Sequence, residues 1–116
     1  MEIKIVKGLI NKKELIDIAK KQFGDLIKAV VDVEQEIMAI GGELHADEET
    51  LLIEQEASKR EHSWGINLYP EKTGDEWIEF DSVINLKPSF NNRSRGIDNQ
   101  EIQEKIRNII KKLVKN

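Results

Sequence analysis

The chain has 116 residues, 34% of them charged, with a net charge of only −4 and no cysteine. That length fits one domain able to bury a core without staples, and the missing cysteine excludes disulfides, thiolate catalysis and cysteine–zinc sites, as suits a reducing compartment. No run approaches the roughly 20 apolar residues of a membrane span, and Lys4 and Lys7 interrupt an N-terminus too short and charged for a signal peptide, so a soluble cytoplasmic protein without membrane contact is expected.

Ile3 to Val6 reads as a short strand. A helix follows, with Asn11 as its cap, Glu14 completing a capping box and Ile10 stapled to Leu15. Leu15, Ile16, Ala19 and Phe23 form its apolar stripe, and Gly24 is placed to end it in a left-handed turn. Ile27 to Val33 alternates as a strand, Glu34 to Glu36 turns, and the wholly apolar Ile37 to Ile40 predicts an interior strand that Gly41 and Gly42 break or bulge. Glu43 to Asp47 continues extended, and the β-branched Thr50 and Ile53 favour a strand over helix at 50–54.

Ala57 to His62 is polar and reads as a mobile loop. Ser63 to Tyr69 is a strand with Trp64, Ile66 and Leu68 on one face and Gly65, Asn67 and Tyr69 on the other. Pro70 ends it, and Lys72 to Asp75 turns the chain. Ile78, Phe80, Ser82, Ile84 and Leu86 share one parity, so Trp77 to Lys87 predicts one long bent strand or two in sequence, stopped by Pro88. The last helix is capped by Asp98, with Glu101 completing the box and Ile97 stapled to Ile102. Ile102, Ile106, Ile109, Ile110 and Leu113 line one face. The fold class is therefore α+β: a mostly antiparallel sheet of five or six strands, with an N-terminal and a C-terminal helix covering one face, in a single domain over 1–116.

Charge is unevenly placed. From Asp32 to Glu61 ten acids face Lys59 and Arg60, a balance of −8, whereas from Lys87 to Lys115 eight bases face three acids, a balance of +5. The plainer reading is two solvated faces attracting each other within a subunit or between copies, so a homo-oligomer is one expectation. The sharper reading is a basic end for an anionic ligand.

Three places could carry chemistry. Glu43, His45 and Asp47 would share one face of an extended segment, where two carboxylates and an imidazole could bind a metal or run acid–base catalysis. The plainer reading, a polar strand edge with His45 paired to a neighbouring carboxylate, outweighs it: a catalytic metal site draws about three ligands from separated segments, and the other histidine, His62, reads as exposed. The loop from Pro88 to Gly96 carries Arg93 and Arg95 beside Asn92, and is the preferred binding surface. If the chain turns at Gly96 the two arginines converge on an anion; if not, one reaches back to Glu43 or Asp47. Asn67 and Asn85 interrupt apolar strands, either to hydrogen-bond across the sheet or to line a cleft with Tyr69. The two tryptophans sit amid acids, which argues against nucleic acid as a partner. No phosphate loop, dinucleotide fingerprint, nucleophile elbow or zinc signature is present, and no cofactor is expected.

The segments GGELHAD (Gly41 to Asp47), WGIN-x-YP (Trp64 to Pro70) and NRSRGI (Asn92 to Ile97), with the residues around them, resemble a family of short prokaryotic proteins classed as a domain of unknown function. The likeness runs from the first strand to the last helix. It implies a stand-alone single domain and brings no activity, cofactor or catalytic residue. Two readings follow from the residues: a binding or interaction module, and as the alternative a small metal-assisted or acid–base enzyme built on Glu43, His45 and Asp47. The first leaves the polar candidates scattered, and the second brings His45 together with Arg93, Arg95, Asn67 or Asn85.

Overall fold

The chain runs β1 (Lys4–Val6), β2 (Ile10–Asn11), α1 (Lys12–Lys21), β3 (Ile27–Asp32), β4 (Ile37–Ile40), α2 (His45–Glu56), β5 (Ser63–Leu68), β6 (Ile78–Glu79), α3 (Gln100–Leu113) and β7 (Val114–Lys115) in a computed structural model that describes residues 2–116. Five strands form one sheet in the order β1-β4-β3-β5-β6, every neighbouring pair antiparallel. β3 lies at the centre, with Ala29 opposite Ile40 on one side and Ile66 on the other. β2 and β7 form a separate parallel pair, which joins segments nearly the whole chain apart and needs no tight crossover.

Strand alternation sends two sets of side chains to opposite faces. Ala29, Val31, Met38, Ile40, Ile66 and Leu68 pack against Leu15 of α1 and against Ile106, Ile109, Ile110 and Leu113 of α3. Val30, Ile37 and Ala39 pack on the other face with Leu52 of α2 and Ile84. The α+β class and antiparallel sheet agree with the sequence. The expectation of helices on one face only does not, because α2 covers the second face and makes a three-layer fold.

The reading of Glu43 to Asp47 and of 50–54 as extended is corrected: α2 begins at His45 and runs through both. Its buried residues are His45, Glu48, Glu49 and Leu52, spaced as one helical face but mostly polar, so an apolar-periodicity search misses them. Gly42 lets this happen. Its N–H donates to Glu48 Oε2 at 2.9 Å, and a Cβ there would lie 2.9 Å from Glu48 Cγ.

Helix ends also differ in detail. Gly24 ends α1 as expected, with φ +95° and its N–H donating to Ala19 O at 2.7 Å. Asn11 occupies the N-cap of α1 but its side chain makes no cap bond. At α3 the cap is Asn99, whose Oδ1 accepts from Glu101 N at 2.8 Å and Ile102 N at 3.4 Å. Asp98 is displaced from that role because its carboxylate accepts from Ser94 Oγ and Arg93 N in the preceding loop.

The long strand expected from Trp77 to Lys87 is replaced by the two residues of β6 followed by 3₁₀ turns at Val83–Asn85 and Pro88–Phe90. The free edge of β5 is instead closed by side chains. Asn85 pairs with both backbone groups of Gly65, and Lys87 Nζ donates to Ser63 O at 2.7 Å and Arg60 O at 2.8 Å. The segment read as a mobile loop, Ala57 to His62, is tied down in the same region. Ser58 Oγ donates to Asp32 Oδ2 at 2.6 Å, and Arg60 reaches Glu49 at 3.2 Å.

Candidate functional site

The polar face of α3 carries Arg107 and Lys111 at i and i+4, and Lys115 extends the same stripe just past the helix. The apolar face of α3 is committed to the sheet, so these cations project from its flank. The turn Gly74–Trp77 brings Trp77 alongside, and the first residue of α1 adds Lys12. Together they line a groove of about 650 Å³, with Ile78, Ile110 and Val114 as apolar lining and Asp75 as its acid. Lys12 Nζ sits 5.1 Å above the Trp77 ring centroid, and the indole also packs against the core. Arg107 lies 3.8 Å from Glu104 and its guanidinium is 5.0 Å over the Phe80 ring. Among the described residues Lys111 and Lys115 make no ion pair. Cations without internal partners, beside an aromatic ring and an apolar wall, can hold an anion that also has an apolar part.

The residues singled out in the sequence fall into different roles. Glu43 and Asp47 are exposed, while His45 is buried and hydrogen-bonds through Nε2 to Ile66 O at 2.8 Å. The three do not form the shared strand face that the enzyme reading required, because the helix that starts at His45 turns consecutive side chains about 100° apart. Among the described residues no three His, Asp or Glu side chains are grouped to hold a metal. Asn67 Nδ2 donates to Glu79 Oε1 at 2.9 Å, and Tyr69 donates to the same oxygen at 3.2 Å. Arg95 Nε donates to Asp81 Oδ1 at 2.8 Å, and so pairs with neither Glu43 nor Asp47. The Arg93 side chain is exposed, and its backbone N–H is held by Asp98.

Asn85 and Asn92 are clasps. Asn92 Nδ2 donates to Asn85 O, Ser94 O and Gly96 O, and its Oδ1 accepts from Asp98 N. The loop turns at Asn91, whose φ is +64°, and bends again over Ser94 to Gly96, yet Arg95 pairs with Asp81 and does not converge with Arg93 on an anion. Asn67 and Asp81 do lie near the His45 imidazole, both acting to raise its pKa. Burial outweighs them and, with the Lys28 ammonium, holds that pKa below the usual histidine value. The ring is therefore neutral at neutral pH and serves as a latch between α2 and the sheet.

Two further ionisable groups escaped the sequence reading. Glu48 is fully buried, and burial pushes its carboxyl well above the usual range, against the Gly42 N–H and the Lys28 charge. Lys87 is buried beneath the surface with its Nζ 4.8 Å from the Trp64 ring centroid and 3.9 Å from Glu49. Burial, aided by Arg60, brings its pKa down to about 8. Neither residue type is expected inside, and no local pattern announces them. The groove had one legible sign in the sequence, the basic balance of the C-terminal segment. What was missing was the meeting of that stripe with Trp77, which lies 30 residues upstream of Arg107 in the chain.

The family described as protein of unknown function DUF5674 matches residues 4–113, and the chain belongs to it. No curated protein and no solved structure matches the chain. Among the described residues no helix is long and apolar enough to cross a membrane.

Proposed function

We propose that this member of the DUF5674 family is a binding module whose ligand is anionic and sits in the groove between α3, the start of α1 and the Gly74–Trp77 turn. The observation that carries the reading is the set Lys12, Arg107, Lys111 and Lys115 on one groove whose lining has one acidic side chain, Asp75, in a chain whose net charge is −4. A cationic groove on an otherwise acidic protein concentrates field where an anion would enter. The Arg93–Arg95 loop, which does not line the groove, supports the reading less, since Arg95 is already paired with Asp81.

Thermal unfolding with phosphate, sulfate and citrate at constant ionic strength tests the proposal. A ligand that prefers the folded state raises its stability by about 2.7 kcal/mol at a concentration 100 times its Kd. Stabilisation is expected from at least one of these anions and is lost in the Lys111→Gln/Lys115→Gln double variant, whose exposed side chains leave the core untouched. No stabilisation beyond that of a chloride control, or equal stabilisation of the double variant, removes the groove as the site.

A further inference from the structure

We infer that the anionic ligand of this groove is a nucleoside phosphate, its base laid on Trp77 and its phosphate held by Lys111, Lys115 and Arg107. The inference rests on the anion-binding reading above and adds the class of ligand. Three features of the lining ask for more than a simple oxyanion. The first is the ring. Trp77 is anchored by the core, yet its face is open enough for the Lys12 ammonium to sit 5.1 Å from the centroid. A flat base can take that place, and stacking tolerates any base because every base has a π-face. Lys12, displaced from the ring, is then free to pair with the phosphate.

The second feature is size. A volume of about 650 Å³ is in the range of small-molecule sites and far exceeds one phosphate, which would leave the half-buried Trp77 and Val114 in contact with water. The third is Asp75. A carboxylate among four cations repels a bare polyanion but accepts hydrogen bonds from a sugar hydroxyl or an exocyclic amine, and a nucleoside brings both. The same chemistry occurs at the end of a nucleic-acid strand. A net charge of −4 opposes the many phosphate contacts on which strand binding depends, so a free mononucleotide fits better.

Indole fluorescence titrations at fixed ionic strength, using inorganic phosphate, ribose phosphate, adenosine, adenosine monophosphate and a short single-stranded oligonucleotide, test this. Trp64 is buried, so quenching reports on Trp77. Adenosine monophosphate should bind about tenfold or more tightly than phosphate or ribose phosphate, the factor one stacked base contributes. Trp77→Leu, which lacks the reporting indole and is followed by titration calorimetry instead, should lose that advantage and keep the phosphate affinity, whereas the Lys111→Gln/Lys115→Gln variant weakens both. If Trp77→Leu does not fold, the base protons in the wild-type complex still report stacking through upfield NMR shifts, and unshifted protons overturn the inference. Adenosine monophosphate binding no tighter than phosphate overturns it too while the anion reading stands; if no anion binds, both fall. An oligonucleotide that binds more tightly than the mononucleotide places the source at a strand end, and one that does not places it with the free nucleotide.

Discussion

The Asn85 carboxamide pairs with Gly65 as a neighbouring strand would: Gly65 N donates to Asn85 Oδ1 at 2.8 Å, and Asn85 Nδ2 donates to Gly65 O at 2.9 Å. The ladder from β6 stops at Asn67, and a side chain continues it. The approach needs glycine, since a Cβ at 65 would lie 2.5 Å from Ser82 Cβ. Asn85→Ala should cost about 2–6 kcal/mol in urea unfolding, because it leaves two buried backbone groups without partners at roughly 1–3 kcal/mol each. Gly65→Ala should cost about 1–3 kcal/mol by overpacking. An Asn85→Ala protein as stable as the wild type would show that water or a neighbouring segment serves the edge equally well.

His45 makes stability sensitive to acid. Its pKa in the folded chain is depressed below 6.5, chiefly by burial. As pH falls past 6.5 the unfolded chain takes up the proton first, so stability present above that pH is lost as pH drops through the folded value. The groups facing the ring are Ile66 O, Asn67, Lys28 and Asp81. Urea midpoints measured across this range for wild type and His45→Gln should diverge at high pH and converge at low pH. Parallel curves would mean that another group drives the acid response.

Glu48 acts in the opposite direction. Its pKa is raised well above 4.5 by burial, and Oε1 has no hydrogen-bond partner. The folded chain keeps its proton to higher pH than the unfolded chain, so the stability this group contributes is complete below 4.5 and declines as pH rises through the folded value. Glu48→Gln keeps an acceptor for Gly42 N–H and cannot ionise. The variant should therefore gain stability relative to wild type as pH is raised from 4.5 to 8, read as a widening gap in Tm. A gap independent of pH would contradict a titrating Glu48.

Lys87 predicts a rise in stability on the alkaline side. Its folded pKa of about 8 lies below the ordinary 10.5, so between these values the unfolded chain binds the extra proton and stability increases with pH. Lys87→Met should abolish that rise. It should also lower stability at neutral pH by about 1–3 kcal/mol, since Ser63 O and Arg60 O lose their donor. Nitrogen-detected NMR of the Lys87 ammonium gives the midpoint directly, and a value near 10.5 would remove the effect.

Ile106 of α3 is fully buried against the sheet. Truncation to alanine should lower unfolding free energy by about 2–5 kcal/mol. An unchanged midpoint would mean that the helix does not depend on this contact.

The sequence by itself determined the elements whose signals are local. The stripe of α3, the Gly24 stop of α1 and the alternation of β3 and β5 repeat with the period of the structure they form, so neighbours along the chain suffice to read them. The class of fold followed, because short gaps between strands permit only antiparallel neighbours. Tertiary structure decided the rest. α2 was hidden because its buried face is His45, Glu48, Glu49 and Leu52, a set held inside by Gly42 N–H, Ile66 O and Arg60 rather than by water-avoiding surface. The strand expected after β6 gave way because Asn85 and Lys87 satisfy the β5 edge with side chains, a choice that no parity pattern records. The groove joins Lys12, Trp77 and the α3 cations from three separate stretches of sequence. Its basic stripe was legible as charge, but its aromatic wall was not, since only the packing of α3 across the sheet brings that ring to those lysines.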